Sequence, residues 1–462
     1  PITYAAAFDP AIVRRYGYRP LTPATMMMDT RTAFLTQEGT PYVPQNYDHQ
    51  WRGPVLLRQA LASSYNLVAV KVLDYAGLEA MTGLARSLGI TTFDNAERFG
   101  LALTLGGGEV KLLELTAAYA AFANDGRRVE PFTIARVTDA AGNTFYRRQP
   151  EPGGQAIDPR AAYLITDILS DNFARAGAFG EGSPLRLSRP AAAKTGTTTD
   201  FRDNWTIGYT PDFAVGVWAG NADNEPMRHV SGITGAAPIW RDVMAALHQT
   251  LPPRDFARPA GLVTATVCAV NGLLPSEGCR TIDELFIAGT EPTRRDDWHR
   301  RLAIDRRNGL LAGSSCPPEQ TVERWFTLYP PDAQAWVAQN HTRQAPETYS
   351  PLCPPGQGRQ SGSLTAIAPA DGSPIRFLSP DQGAVYRLSP AIPAADQRVR
   401  VAVRLAPDVD PASVHLRING QLLARGTETL WQLSPGRYLF EAVGVNSRGE
   451  VVRTSVEVGV NE

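Results

Sequence analysis

The chain has 462 residues, 43% of them apolar and 20% charged, with a formal net charge of −1. That length suits about three domains with real cores and argues against a disordered chain, and the charge balance gives no global attraction for nucleic acid or anionic lipid. No apolar run approaches the roughly 20 residues of a spanning helix, Pro1 opens no signal peptide, and no initiating methionine is present. The expectation is a soluble fragment or processed product.

In chain order, Thr3-Tyr-Ala-Ala-Ala-Phe8 predicts the tail of a buried helix, followed by irregular, aromatic-punctuated surface to Tyr42-Val-Pro-Gln-Asn-Tyr47-Asp48. Gly53-Pro54 stops that loop, and Val55-Leu-Leu-Arg-Gln-Ala-Leu61-Ala62 starts helical apolar spacing. Ser63-Ser64-Tyr65-Asn66 interrupts it before Leu67-Val-Ala-Val-Lys71 resumes. Two readings stay open there: polar side chains aimed into a cleft, or an ordinary helix cap.

Gly106-Gly-Gly108-Glu109 lacks a following Gly-Lys-Ser/Thr, so it predicts a turn before a helix over 112–124 and not a phosphate loop. A hairpin is expected over 129–145, turning at Asp139-Ala-Ala-Gly142-Asn143, and another amphipathic helix over 161–173. Ala191-Ala-Ala-Lys194-Thr195-Gly196-Thr197 reads as a strand edge carrying a cation, bare on one face at Gly196, where an extended ligand with a carboxylate could pair main chain to main chain. Taken alone, Lys-Thr-Gly is a weak signal, and an ordinary exposed strand is the commoner meaning of such a stretch. Trp205 to Gly220 continues as two antiparallel strands across a Thr-Pro-Asp turn, and a helix through Leu247 closes an α+β domain. Lysine is scarce: Lys71, Lys111 and Lys194 stand among 45 cationic residues.

Residues 251–362 hold Cys268, Cys279, Cys316 and Cys353 among proline pairs, and little regular structure is expected of this connector. Metal ligation would favour tighter cysteine pairs with histidine support, so disulfides in an oxidising compartment fit better, with Cys268–Cys279 and Cys316–Cys353 favoured among three connectivities. From about residue 363 the texture alternates apolar and polar, as in Val399-Arg-Val-Ala-Val-Arg-Leu405, with an Asn419-Gly420 turn and Trp431 for a core. That predicts a non-catalytic, immunoglobulin-like β-sandwich.

Ser64-Tyr65-Asn66 and Lys194-Thr195-Gly196-Thr197, in that order, resemble the SxN and KTG(T) motifs of the serine penicillin-recognising enzymes. With Arg58-x-Ala60-Leu61, Ala118-Tyr119-x-x-Phe122-Ala-Asn124-x-Gly126 and Asp203-x-Trp205-x-Ile207-Gly208-Tyr209, the chain is similar to the transpeptidase domain of class A penicillin-binding proteins. Its tail, and Gly232-x-Thr-Gly235-Ala-Ala-Pro-Ile-Trp240, resemble the 1C group. The resemblance implies a transpeptidase domain over 1–250, the connector over 251–362 and the sandwich over 363–462. It also implies serine acyl transfer between D-Ala-D-Ala stem peptides, inhibition by β-lactams, an upstream glycosyltransferase behind a membrane anchor, and a place on the extracytoplasmic face of the bacterial membrane.

The same resemblance assigns catalytic roles to Ser64, Asn66 and Lys194, substrate binding to Thr195, Gly196 and Thr197, and an oxyanion-hole N–H to Thr197. It calls for no metal or organic cofactor and no nucleic acid; cell-wall assembly proteins could meet the sandwich. One departure stands out. No Ser, Thr or Cys lies three places before Lys71, Lys111 or Lys194, so the family's Ser-x-x-Lys is missing. Pro1-Ile2-Thr3-Tyr4-Ala5 looks like the continuation of that motif, so a fragment unable to acylate is expected. A non-catalytic wall-binding module and a carboxypeptidase or β-lactamase are the other readings.

Overall fold

The computed structural model describes residues 1–462 except 33, 36–40, 94–95, 150–152, 199–200, 229, 331–332, 356–373, 381–383, 388–396, 407 and 462. Two compact units organise it: residues 1–32, 43–299 and 329–342 form the first, and residues 33–42, 300–328 and 343–462 the second.

Period-two alternation decides the central sheet of the first unit. Ala192–Thr197, Asp203–Tyr209 and Ala214–Gly220 are antiparallel, with Asp203–Tyr209 in the middle, and the register sets Lys194 opposite Ile207. Neighbouring side chains on a strand point to opposite faces. Ala192, Ile207 and Tyr209 therefore enter the main core beside the helices Leu112–Ala123 and Pro159–Ser170, whereas Ala191, Ala193, Val215 and Val217 pack with Trp240 and Met244 of the helix Ala236–Leu247. The Trp240 indole lies against Gly208, where an added Cβ would stand 2.5 Å from Cζ2. Only a residue without a side chain lets that helix come so close.

The expected helix at the start is Ile2–Phe8, buried at every position. Two expectations need correction. Gly53–Leu56 is extended and pairs antiparallel with Met26–Asp29 before the helix Leu57–Ala62 begins; Gly53 at φ +68° and the Pro54 ring suit a ladder end. The helix predicted over 161–173 is two helices, Pro159–Ser170 and Asn172–Phe179, because the Asp171 carboxylate accepts from the N–H groups of Phe173 and Ala174 and starts the second.

The connector carries more regular structure than its prolines suggest. Leu262–Cys268 and Thr281–Ile287 form an antiparallel pair in the first unit, and His299–Asp305 pairs with Thr321–Thr327. Prolines gather between these runs and leave the β-branched alternation intact. Both expected disulfides, Cys268–Cys279 and Cys316–Cys353, are present. In the second unit, a three-stranded sheet of Ile375–Ser379, Arg398–Leu405 and Glu428–Gln432 shares one core with a five-stranded sheet that includes Gly436–Val445 and Val451–Asn461. Trp431 and Phe440 pack edge to face within it, and Asn419 and Gly420, both at positive φ, turn His415–Ile418 into Gln421–Arg425. No helix among the described residues is long and apolar enough to cross a membrane.

Candidate active site

A cleft of about 580 Å³ in the first unit is lined by Ser64, Asn66 and the strand from Lys194 to Thr197. Sequence positions some 130 apart meet there: Lys194 Nζ donates to Ser64 Oγ at 2.7 Å and to the Thr195 carbonyl at 2.8 Å. The other two lysines are engaged elsewhere, Lys71 with the Met28 carbonyl and Lys111 with Glu114. The chain's one lysine on a strand thus faces the Ser64-Tyr65-Asn66 elbow.

The elbow is built by the end of the helix Leu57–Ala62. Ser64 takes φ +61°, a conformation uncommon for a residue with a side chain, and Tyr65 N–H reaches back to the Ala60 carbonyl at 2.9 Å. Ser63 Oγ ties the turn to the Ala174 carbonyl, and the Arg52 guanidinium lies 4.5 Å over the Tyr65 ring. Asn66 does not cap the helix Asn66–Ala76. Its amide donates instead to the Gln45 carbonyl at 2.9 Å, and Tyr65 occupies the cap position with no side-chain bond. Of the two readings of this segment, side chains turned to a cleft is the one observed.

Ala192–Thr197 is an edge strand, paired only with Asp203–Tyr209 among the described residues. Its outer side faces no further strand among the described residues and can take an extended ligand, with the Thr195 carbonyl there already accepting from Lys194 Nζ. Lys194 continues the Ala192 face toward Ser64, and Thr195 and Thr197 lie on the other face against residues 231–235. There Thr197 Oγ1 accepts from Gly232 N at 2.9 Å, so the hydroxyl proton is free for a ligand. An added Cβ at Gly232 would stand 2.5 Å from the Gly196 carbonyl oxygen.

Burial pushes the Lys194 ammonium down to about 8, and repulsion from the nearby Arg175 guanidinium adds to the effect. Arg175 is itself buried; its Nη2 donates to the Leu169 carbonyl, while Nε and Nη1 have no hydrogen-bond partner. Sequence reasoning missed Arg175, since nothing about Arg in an amphipathic helix marks it as facing inward. It also treated Gly106-Gly-Gly108-Glu109 as a plain turn, yet these residues line the cleft, as does Trp218, whose Nε1 donates to Asp203 Oδ1 at 2.7 Å. Among the described residues the lining contains no histidine or cysteine, and its carboxylates are Glu109 and Asp203. The arrangement offers a cation, hydroxyls and a strand edge, which suits holding a peptide carboxylate.

Residues 28–245 match the penicillin binding protein transpeptidase domain, residues 258–301 the penicillin-binding protein 1A C-terminal domain, and residues 364–458 the penicillin-binding protein C-terminus family. Penicillin-binding protein 1A of Aquifex aeolicus is 32% identical over 273 residues, 58% of this chain and 36% of its own length. Penicillin-binding protein 2D of Bacillus subtilis is 32% identical over 296 residues, 62% of this chain and 42% of its own. A crystal structure of penicillin-binding protein 1A from Haemophilus influenzae matches with a TM-score of 0.57 at 25% identity, over 64% of this chain and 48% of that one. The fold is that of a penicillin-binding transpeptidase domain followed by an all-β region. The chain belongs to the class A penicillin-binding proteins, and it spans less than half the length of the curated relatives named above.

Proposed function

We propose that the first unit binds the D-Ala-D-Ala end of a peptidoglycan stem peptide and serves the D,D-transpeptidase step of a bifunctional cell-wall synthase, the step that β-lactams block. The observation that carries this reading is the Lys194 Nζ to Ser64 Oγ hydrogen bond beside an open strand edge. The stem peptide lies antiparallel along Ala192–Thr197, and its terminal carboxylate meets Lys194, Thr195 and Thr197 in charge-assisted hydrogen bonds. Ser64 relays a proton to the departing D-alanine nitrogen and from the attacking amine, and Asn66 orients the substrate amide. The N–H of Thr197 supplies one donor of the oxyanion hole. The nucleophile in this reading is the serine of a Ser-x-x-Lys, a motif that residues 1–462 do not contain, and Pro1 lines the cleft. We assign the chain to the 1C group on the resemblance of its tail, with the sandwich as a surface for wall-assembly proteins.

Labelled penicillin tests this. It should form no covalent adduct with residues 1–462, and should form a stoichiometric adduct with the chain extended N-terminally through a Ser-x-x-Lys. An extended, folded chain that stays unlabelled would overturn the reading.

A second test uses pH. Lys194 is cationic below about 8 and neutral above it, so carboxylate binding is full on the acid side and lost as pH rises through that value. Calorimetric titration of residues 1–462 with an acyl-D-Ala-D-Ala peptide from pH 6 to 10 should show the dissociation constant rising across pH 8. In Lys194→Met the affinity should be weak and flat over the same range.

A further inference from the structure

Residues 258–301 make a short module with a small core: Val267 and Phe286 of its two-stranded sheet, with Ala24, are the fully buried apolar residues of that cluster. A segment this short needs a staple. Two are superimposed in it. One is the Cys268–Cys279 disulfide. The other is a group of four potential ligand atoms, Cys268 Sγ, Cys279 Sγ, one Asp296 carboxylate oxygen and a His299 ring nitrogen, all within 4.8 Å of one another. Spacing along the chain hides this set, because Asp296 and His299 arrive through the fold and not through a tight cysteine motif.

A disulfide alone gives no reason to bury a carboxylate and an imidazole beside it. The Asp296 side chain is 0% exposed and that of His299 8%. His299 Nδ1 lies 2.9 Å from Asp296 Oδ2 and 3.9 Å from Cys268 Sγ, so the imidazole, the carboxylate and the sulfurs converge on one point. The carboxylate is also held from behind. Asp296 Oδ1 accepts from Asn271 Nδ2 at 2.6 Å and from Trp298 N at 3.1 Å, and Ser276 Oγ donates to Oδ2. Outer donors that fix a ligand carboxylate are the usual support of a metal site.

We propose that Cys268, Cys279, Asp296 and His299 form a tetrahedral zinc site when the cysteines are reduced, so that this module is closed either by a disulfide or by a metal. Two thiolates, an imidazole and a carboxylate are zinc's ligand set, and bonds of about 2.0–2.3 Å place such ligands on a sphere the size of this cluster. The chemistry balances. A dithiol reductant takes the disulfide to two thiols and becomes a disulfide itself. Zn²⁺ then displaces the two thiol protons, while the imidazole proton passes from Nδ1, where it now faces Asp296, to Nε2.

The test uses the full chain, reduced with a phosphine, and Co²⁺ as a visible stand-in for zinc. The expected result is one Co²⁺ per chain with tetrahedral d–d bands and thiolate-to-cobalt charge transfer, bleached by one equivalent of Zn²⁺. Cys316→Ser/Cys353→Ser should leave this intact and Cys268→Ser/Cys279→Ser should abolish it. Asn271→Ala should weaken zinc about 10- to 100-fold. His299→Ala should shift the d–d bands and weaken zinc further; its oxidised form keeps the disulfide and reports by circular dichroism that the module still folds. A reduced chain that takes up no stoichiometric Co²⁺, or a His299→Ala spectrum identical to the unsubstituted one, overturns the proposal.

Discussion

Arg58→Ala is expected to destabilise the first unit by about 3–5 kcal/mol, the cost of stripping the partner from a buried charge. The Arg58 guanidinium donates from Nε to Glu284 Oε2 at 2.7 Å and from Nη2 to Glu284 Oε1 at 2.6 Å, and it also meets Asp167 and Asp171. Glu284 has a fully buried side chain, whereas Asp167 and Asp171 remain 29% and 27% exposed and can turn to water. The loss therefore falls mainly on Glu284. It sits on the strand Thr281–Ile287, so this contact also joins that strand to the helix Leu57–Ala62 that leads into the Ser64 elbow. Urea denaturation followed by tryptophan fluorescence would read the change. Arg58→Met/Glu284→Leu should recover most of it, since an apolar pair of similar size replaces a buried ion pair at little cost. A loss below about 1 kcal/mol in the single variant would show that the cluster is well hydrated.

Lys194→Ala, introduced into the chain extended with Ser-x-x-Lys, is expected to slow acylation by labelled penicillin about 10²- to 10³-fold, as expected when a charge-assisted donor is lost from an acyl-transfer site. Ser64→Ala should slow it by a similar or larger factor, about 10²- to 10⁴-fold, by removing a positioned proton carrier. The two defects should be far from additive, because the Lys194 Nζ to Ser64 Oγ bond makes the residues act as one unit. Stopped-flow or gel-based labelling rates would decide. Rates within threefold of the unsubstituted protein would remove Lys194 from the chemistry and leave it a role in the strand alone.

Much of the cleft was legible because its residues sit in local, ordered motifs: Ser64-Tyr65-Asn66 at a break between apolar runs, and Lys194-Thr195-Gly196-Thr197 on an alternating strand. Period and punctuation also marked the sheet, the helix Leu112–Ala123 and the Asn419-Gly420 hairpin. What stayed hidden depends on partners far apart in the chain. Glu284 lies 226 positions from Arg58, and Arg175 faces Lys194 only because Asp171 starts a new helix; no local period encodes either. Proline density misled in the connector, since prolines gathered between strands say little about the strands themselves.

The open side of Ala192–Thr197 has one more consequence. Main-chain groups along a strand edge are sticky toward any extended chain, including another molecule of the same protein, and a solvated charge on such a border is the usual deterrent. Lys194, folded into the cleft against Ser64 and the Thr195 carbonyl, presents no surface charge to deter such pairing, and light scattering should find Lys194→Ala no more prone to self-association than the unsubstituted chain.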